Sequence, residues 1–225
     1  MKIHLKTKEK LAAAVTVLLF FVFAGGCFKD IPQKKVVYEN NFEDSSMRNI
    51  EIYDPQGRAN YYKVIPYNGS AVLGNFNGRL VRVILDNLPS HNTIEIKFDL
   101  YIQDQWDGDY IRPGFSIPDV WNMSIDNYPI YATTFSNTTH NQSFPDNYTG
   151  TVSINPPRSN AWDLTPGVCS WAGKKDGSSH YIIEYITSHS SNKMILDMND
   201  ALQPYNELCL KSWSIDNIKI TAVTR

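Results

Sequence analysis

Between Thr93 and Ile102 the apolar residues Ile94, Ile96, Phe98, Leu100 and Ile102 alternate with Thr93, Glu95, Lys97 and Asp99. A period of two sends one set to a buried face and the other to water, so this stretch predicts a half-buried strand. Trp121, Met123 and Ile125 repeat the pattern between Asp119 and Asp126. Arg79–Leu85 and Tyr181–Ile186 are more continuously apolar and predict strands covered more fully. Turn-forming pairs separate these runs at Asn68-Gly69, Asn77-Gly78, Asp86-Asn87, Asp107-Gly108 and Asp176-Gly177. No run of a dozen residues keeps a helical period. Short strands at this spacing, without helices between them, predict an all-β antiparallel sandwich over residues 36–225.

Two stretches break the rhythm. In the last strand Trp213 and Ile215 share one parity while Ile218 and Ile220 share the other, so the phase slips at Asp216-Asn217 and predicts a bulge. The segment Ser136–Ser179 is rich in Asn, Thr, Pro and Gly, with Trp162 and Trp171 embedded. A long irregular segment in a compact domain is usually functional or disordered.

The first 26 residues read differently. Lys2, Lys6, Lys8 and Lys10 precede an uncharged apolar run, Leu11–Ala24, that is short for a spanning helix. The junction Phe23-Ala24-Gly25-Gly26-Cys27 resembles a bacterial lipoprotein lipobox, which implies cleavage after residue 26 and acylation of Cys27 (palmitate among the acyl groups). Residues 27–35 then read as a short tether. The expected location is the bacterial cell envelope, lipid-anchored, at the outer membrane or cell surface. In an exported chain the remaining cysteines, Cys169 and Cys209, form either a disulfide, which we expect, or two buried thiols.

Composition narrows the function classes. Hydrophobic residues at 42% and charged residues at 20% are ordinary globular values, so disorder and a multispanning membrane protein are disfavoured. Lys and Arg total 21 against 23 Asp and Glu, and the leader removes four Lys and one Glu. The mature body is therefore mildly acidic and offers no electrostatic footprint for nucleic acid. The 13 Tyr and 5 Trp suit pleated surfaces and sugar-facing sites alike.

A succession of motifs adds a resemblance: Leu88-Pro89-Ser90-His91, Phe98-Asp99-Leu100-Tyr101-Ile102, Trp106-Asp107-Gly108, Pro118-Asp119-Val120-Trp121, Thr133-Thr134-Phe135-Ser136-Asn137, Gln142-Ser143-Phe144-Pro145-Asp146 and Ser212-Trp213-Ser214-Ile215-Asp216-Asn217-Ile218. From about Phe42 to Ile220 this order resembles a group of exported bacterial jelly-roll domains, similar in architecture to concanavalin-like lectin sandwiches. The resemblance implies a jelly-roll fold and an exported location. It implies no catalytic activity.

Two acidic groups are candidate Ca²⁺ sites. Glu43, near the start, and Asp216, near the end, resemble the arrangement in carbohydrate-binding jelly rolls where the first and last strands share a structural ion; otherwise they are a solvated edge and a turn cap. Asp104, Asp107 and Asp109 form the second candidate, or else a solvated loop. For ligand stacking the candidates are Trp162, Trp171 and Trp106, whereas Trp121 falls on the core face.

Enzyme signatures are sparse. Glu95 and Asp99 have the i, i+4 spacing of glycosidase carboxylates but sit on the wet parity with Lys97 between them, and His91, His140, His180 and His189 read as surface residues without zinc-ligand spacing. The expected function is binding of a glycan or another surface component without chemistry. A glycoside hydrolase or lyase with an unrecognised site, or a structural envelope protein, is the alternative.

Overall fold

A computed structural model of the chain describes residues 32–54 and 63–224; the leader, Cys27 and the rest of the tether up to residue 31 lie outside the described residues, as do residues 55–62 and Arg225. The described residues form twelve strands and no helix: β1 (Gln33–Asn40), β2 (Ile50–Tyr53), β3 (Lys63–Tyr67), β4 (Ser70–Phe76), β5 (Leu80–Leu85), β6 (Thr93–Asp104), β7 (Val120–Ile125), β8 (Tyr128–Thr133), β9 (Asp163–Thr165), β10 (Ser178–Ser188), β11 (Met194–Ala201) and β12 (Lys211–Thr224). The larger sheet has the order β3-β4-β12-β6-β10-β9, with β1 also paired to β12, and the smaller sheet has the order β2-β5-β11-β7-β8.

The pairing is nested. β4 pairs with β12, β5 with β11, β6 with β10 and β7 with β8, all antiparallel. A long hairpin wound so that its successive rungs fall alternately in two sheets is a jelly roll. Both the sandwich and its jelly-roll winding therefore agree with the sequence reading.

The inward positions of the two sheets close on each other. Phe98, Leu100, Trp213 and Ile215 from the larger sheet meet Val81, Val83, Trp121 and Leu196 from the smaller one, all fully buried. Trp121 touches the rings of both Trp213 and Phe98. Burying side chains of this size stabilises the fold by about 1.5–3 kcal/mol each, so this layer dominates its stability.

The parity slip near the end of the chain is real. The β12–β6 register shifts between Asp216 and Lys219, and Asn217 takes a left-handed φ of 51°. At that point β12 exchanges one neighbour for another: β4 pairs with it up to Ile215, and β1 from Ile218 onward.

Three expectations need correction. The chain is already in strand at Gln33, inside the segment read as tether, because Lys34 and its neighbours pair along β12 while their side chains face water; Lys34 Nζ is 2.8 Å from Glu95. Trp106 does not face solvent: its ring is fully buried and its Nε1 donates to the carbonyl of Ser212, 2.7 Å away. The histidines do not share one fate. His91 is buried and His189 half-buried, with a nitrogen–nitrogen distance of 2.6 Å between them, and His189 reaches Asp126 at 3.0 Å.

The segment Ser136–Ser179 contains only the short β9 and the start of β10, yet its polar side chains stand in for a ladder. Buried Gln142 accepts the amides of Ser136 (3.0 Å) and Arg158 (2.9 Å) at Oε1 and donates to the carbonyls of Phe144 and Ser159. Backbone groups that lack strand partners are thus satisfied by one amide side chain.

Candidate functional site

The outer face of the larger sheet gathers most of the chemistry. Cross-strand register sets side chains from β12, β6 and β10 in rows: Ser214, Tyr101 and His180; then Asp216, Asp99 and Ile182; then Lys219, Lys97 and Glu184; then Thr221, Glu95 and Ile186. Their inward neighbours on the same strands build the core, so this polar face follows from the alternation itself.

A groove of about 570 Å³ runs over the lower rows, lined by Asn40, Asp44, Arg48, Lys97, Asn217 and Lys219 among others. One wall is the loop after β1. Phe42, at φ 58°, drives its ring into the core, and Asn40 ties the loop by donating to the Ser46 carbonyl (2.9 Å) and accepting the Phe42 amide (2.9 Å). Past Lys97 and Lys219 a second depression of about 430 Å³ continues toward Val36 and Ile186. Every side chain lining the first groove is polar or charged, with cations and carboxylates interleaved. Lys97 pairs with Glu184 at 2.5 Å and Lys219 with Glu39 at 3.1 Å, both in solvent, where such pairs hold their partners loosely.

Beside the groove lies a carboxylate node. The Ser70 hydroxyl sits 2.8 Å from Glu43 Oε1 and 2.9 Å from Asp216 Oδ2, and the amide of Ala71 donates to the same Glu43 oxygen at 3.0 Å. The structure therefore brings Glu43 and Asp216 together. A hydroxyl has one proton to offer, so one of the two contacts needs a second positive charge, either a proton on a carboxyl or a cation. Burial, with Asp99 and Glu43 close by, pushes the Asp216 carboxyl up to about 6 against the pull of Ser70. Asp99 goes the other way: burial opposes its ionisation, but hydrogen bonds from His180 and Asn217 outweigh that and lower it. Asn217 Nδ2 links the two, at 2.7 Å from Asp99 and 3.3 Å from Asp216.

The other acidic trio does not converge. Asp104, fully buried at φ 62°, accepts the amides of Val168 and Cys169, each at 2.9 Å. Asp107 takes hydrogen bonds from Thr138 and from His140 Nδ1 (2.7 Å), and Asp109 accepts the amide of Ser153 at 2.7 Å. Each carboxylate fixes a different loop. Among the described residues no group of three or more His, Cys, Asp or Glu side chains is disposed to hold a metal ion.

Cys169 and Cys209 form a disulfide with their Cα atoms 4.9 Å apart. Trp171, two residues on, is half-buried with Lys174 Nζ 3.9 Å above its ring, so one of its faces is occupied. Trp162 is 72% exposed at the sheet edge beside β9. Neither lines the groove. Sequence reasoning missed the groove residues Asn40, Arg48, Lys97, Asn217 and Lys219; Asn217 alone left a trace, as the residue at the parity slip.

No protein-family model matches the chain, and no curated protein matches it. Among solved structures, a family 35 carbohydrate-binding module from Clostridium thermocellum shares 9% identity over 84% of this chain and 97% of its own, with a TM-score of 0.37. A carbohydrate-binding module specific for non-crystalline cellulose shares 13% identity over 84% of this chain and 91% of its own, at 0.41. The K3 adhesin domain of Lys-gingipain from Porphyromonas gingivalis shares 11% over 84% and 99%, at 0.38. At these identities and TM-scores the likeness assigns no function to this chain.

Proposed function

We propose that the sandwich is a glycan-binding domain that performs no chemistry on its ligand, carried by an exported, lipid-anchored envelope protein. The observation that supports binding is the groove of about 570 Å³ lined only by residues with polar or charged side chains. Its size suits a small ligand, and its interleaved amide, guanidinium, ammonium and carboxylate groups match alternating hydroxyls rather than an apolar molecule or a polyanion. The anchor rests on the leader pattern and on Cys27, the one cysteine left once Cys169 and Cys209 are joined.

Detergent-solubilised full-length protein applied to a glycan array is expected to retain neutral glycans, and Arg48→Ala is expected to weaken that binding about tenfold, the loss of one charge-assisted hydrogen bond. Equal retention by wild type and Arg48→Ala would exclude the groove. Labelling with a fatty acid in the producing cell is expected to mark the wild type and to fail with Cys27→Ser.

The same reading includes a Ca²⁺ held between Glu43 and Asp216. An ion there would draw on the two carboxylates, the Ser70 hydroxyl, backbone carbonyls and water, an oxygen set of the kind Ca²⁺ takes. Bound at a hundredfold excess over its dissociation constant it adds about 2.7 kcal/mol, so EDTA is expected to lower the melting temperature by roughly 5–10 °C. Asp216→Asn is expected to melt lower than the wild type and to ignore EDTA.

A proton in place of the ion predicts the opposite sign. With the Asp216 carboxyl raised to about 6 and an unfolded value near 3.9, the folded state binds the proton more tightly. Stability then falls as pH climbs from about 4 to about 6 and is level above. In that case Asp216→Asn melts higher at pH 7, EDTA does nothing, and the ion is ruled out.

A further inference from the structure

We infer that the pole of the sandwich opposite the Gln33–Thr224 pair carries a second carbohydrate site, in which Tyr110 stacks on one face of a pyranose ring. β12 spans the molecule, from Lys211 opposite Asp104 to Thr224 opposite Gln33, about 45 Å at strand rise. The loop that follows Asp104 therefore lies at the end away from Gln33.

At that end Tyr110 is 40% exposed, and its ring lies parallel to the imidazole of His140, with centroids 4.5 Å apart and an angle of 9°. His140 thus covers one face of the ring. His140 cannot swing aside freely, because its Nδ1 is 2.7 Å from Asp107 Oδ1, and Asp107 is itself buried and also bonded by Thr138.

The backbone beneath is fixed at each residue. Gly108 donates to the Phe135 carbonyl (2.8 Å), Asp109 to the Asn141 carbonyl (2.9 Å) and Tyr110 to the Asp107 carbonyl (3.2 Å). Asp109 in turn accepts the Ser153 amide, while Asn141 Nδ2 donates to the Ser153 carbonyl at 2.8 Å. Gly108 stands at φ +64°, and a Cβ there would lie 1.9 Å from the Asn141 carbonyl oxygen, so the segments 107–110 and 140–141 are pressed as close as backbones go. Three loops are thus locked together to present one ring that the hydrophobic core does not include.

A rigid Tyr gives a large amphipathic contact area at little entropic cost, and a platform fixed before binding avoids the ordering penalty. A flat aromatic face held in place from behind by His140 matches a sugar ring, whose C–H bonds cluster on one face. The trio Asp104, Asp107 and Asp109, rather than ligating a metal, supplies two of the clamps that hold this platform.

The site shares a ligand class with the groove but no residue, so the two can be tested apart. Cellohexaose, xylohexaose and mannohexaose would each be offered to full-length protein carrying Arg48→Ala, and saturation transfer from the aromatic protons to the sugar read by NMR. At least one hexaose is expected to receive saturation on the protons of one ring face. Tyr110→Ala in that background is expected to lower affinity about fivefold to tenfold, and Tyr110→Phe to keep it within about threefold. His140→Ala, which removes the backing ring, is expected to lie between them. Tyr110→Ala and Tyr110→Phe should melt with the parent, since the ring lies outside the core, whereas His140→Ala, which also strips a hydrogen bond from buried Asp107, should melt slightly lower. No transfer from any hexaose, equal binding by Tyr110→Ala, or a Tyr110→Phe as weak as Tyr110→Ala would overturn the assignment.

Discussion

Replacing Asp119 with Ala is expected to cost about 3–5 kcal/mol, because it leaves a buried ammonium without its counter-charge. Lys211 is fully buried and Asp119 nearly so, and the lysine Nζ donates directly to Asp119 Oδ2. Burial pushes the Asp119 carboxyl up and the Lys211 ammonium down, so each ion is held charged by the other. The second carboxylate oxygen accepts the Gln203 amide at 3.0 Å, tying the entry to β7 to the segment between β11 and β12. Adding Lys211→Met to Asp119→Ala is expected to restore most of the loss, since an apolar pair in place of a buried ion pair is often neutral or better. Guanidinium denaturation of the two single variants and the double one measures the coupling. A cost below about 1 kcal/mol for Asp119→Ala would mean that the lysine finds water or loses its proton without penalty.

Removing the disulfide is expected to have a comparable effect by a different route. Cys169 and Cys209 are 40 residues apart in sequence, and closing a loop of that size disfavours the unfolded chain by about 4 kcal/mol. The folded geometry has independent supports: Asp104 accepts the amides of Val168 and Cys169, and the Ser170 amide donates to the Cys209 carbonyl at 3.0 Å. Cys169→Ser with Cys209→Ser should therefore keep the native far-ultraviolet spectrum while melting roughly 8–16 °C lower. An unchanged melt after reduction would show that the unfolded chain is already confined near this loop.

The fold was legible where chemistry is local. The alternation in β6 and β7 announced one buried face, and the lost phase at Asp216 announced the register shift, because side-chain direction in a strand is a matter of counting. The groove was not legible. Lys219 meets Glu39 across 180 residues of sequence, and each reads alone as an ordinary solvated charge. Trp106 misled for a related reason: a tryptophan among three aspartates looks exposed until its indole nitrogen is seen to reach a carbonyl 106 residues away. The aspartates looked like one site because they are near in sequence, but Asp104 takes a left-handed φ, and its carboxylate serves a loop that Asp107 and Asp109 do not touch. Of the node, Glu43 and Asp216 could be named in advance. The Ser70 hydroxyl between them could not, since nothing in its surroundings distinguishes it from any serine after a turn.

β12 follows every other described strand in sequence, yet it occupies the interior of the larger sheet, with β6 along one edge and β4 and then β1 along the other. A chain that emerges N-terminus first can close the β3–β4 and β7–β8 hairpins and lay β10 on β6, but neither β1 nor the β3–β4 hairpin meets its neighbour in the larger sheet until the fourteen residues of β12 arrive. Completion of the larger sheet therefore waits for β12. A chain cut a few residues before Trp213 leaves β1 unpaired and the β3–β4 hairpin detached from the larger sheet, rather than a slightly shortened domain.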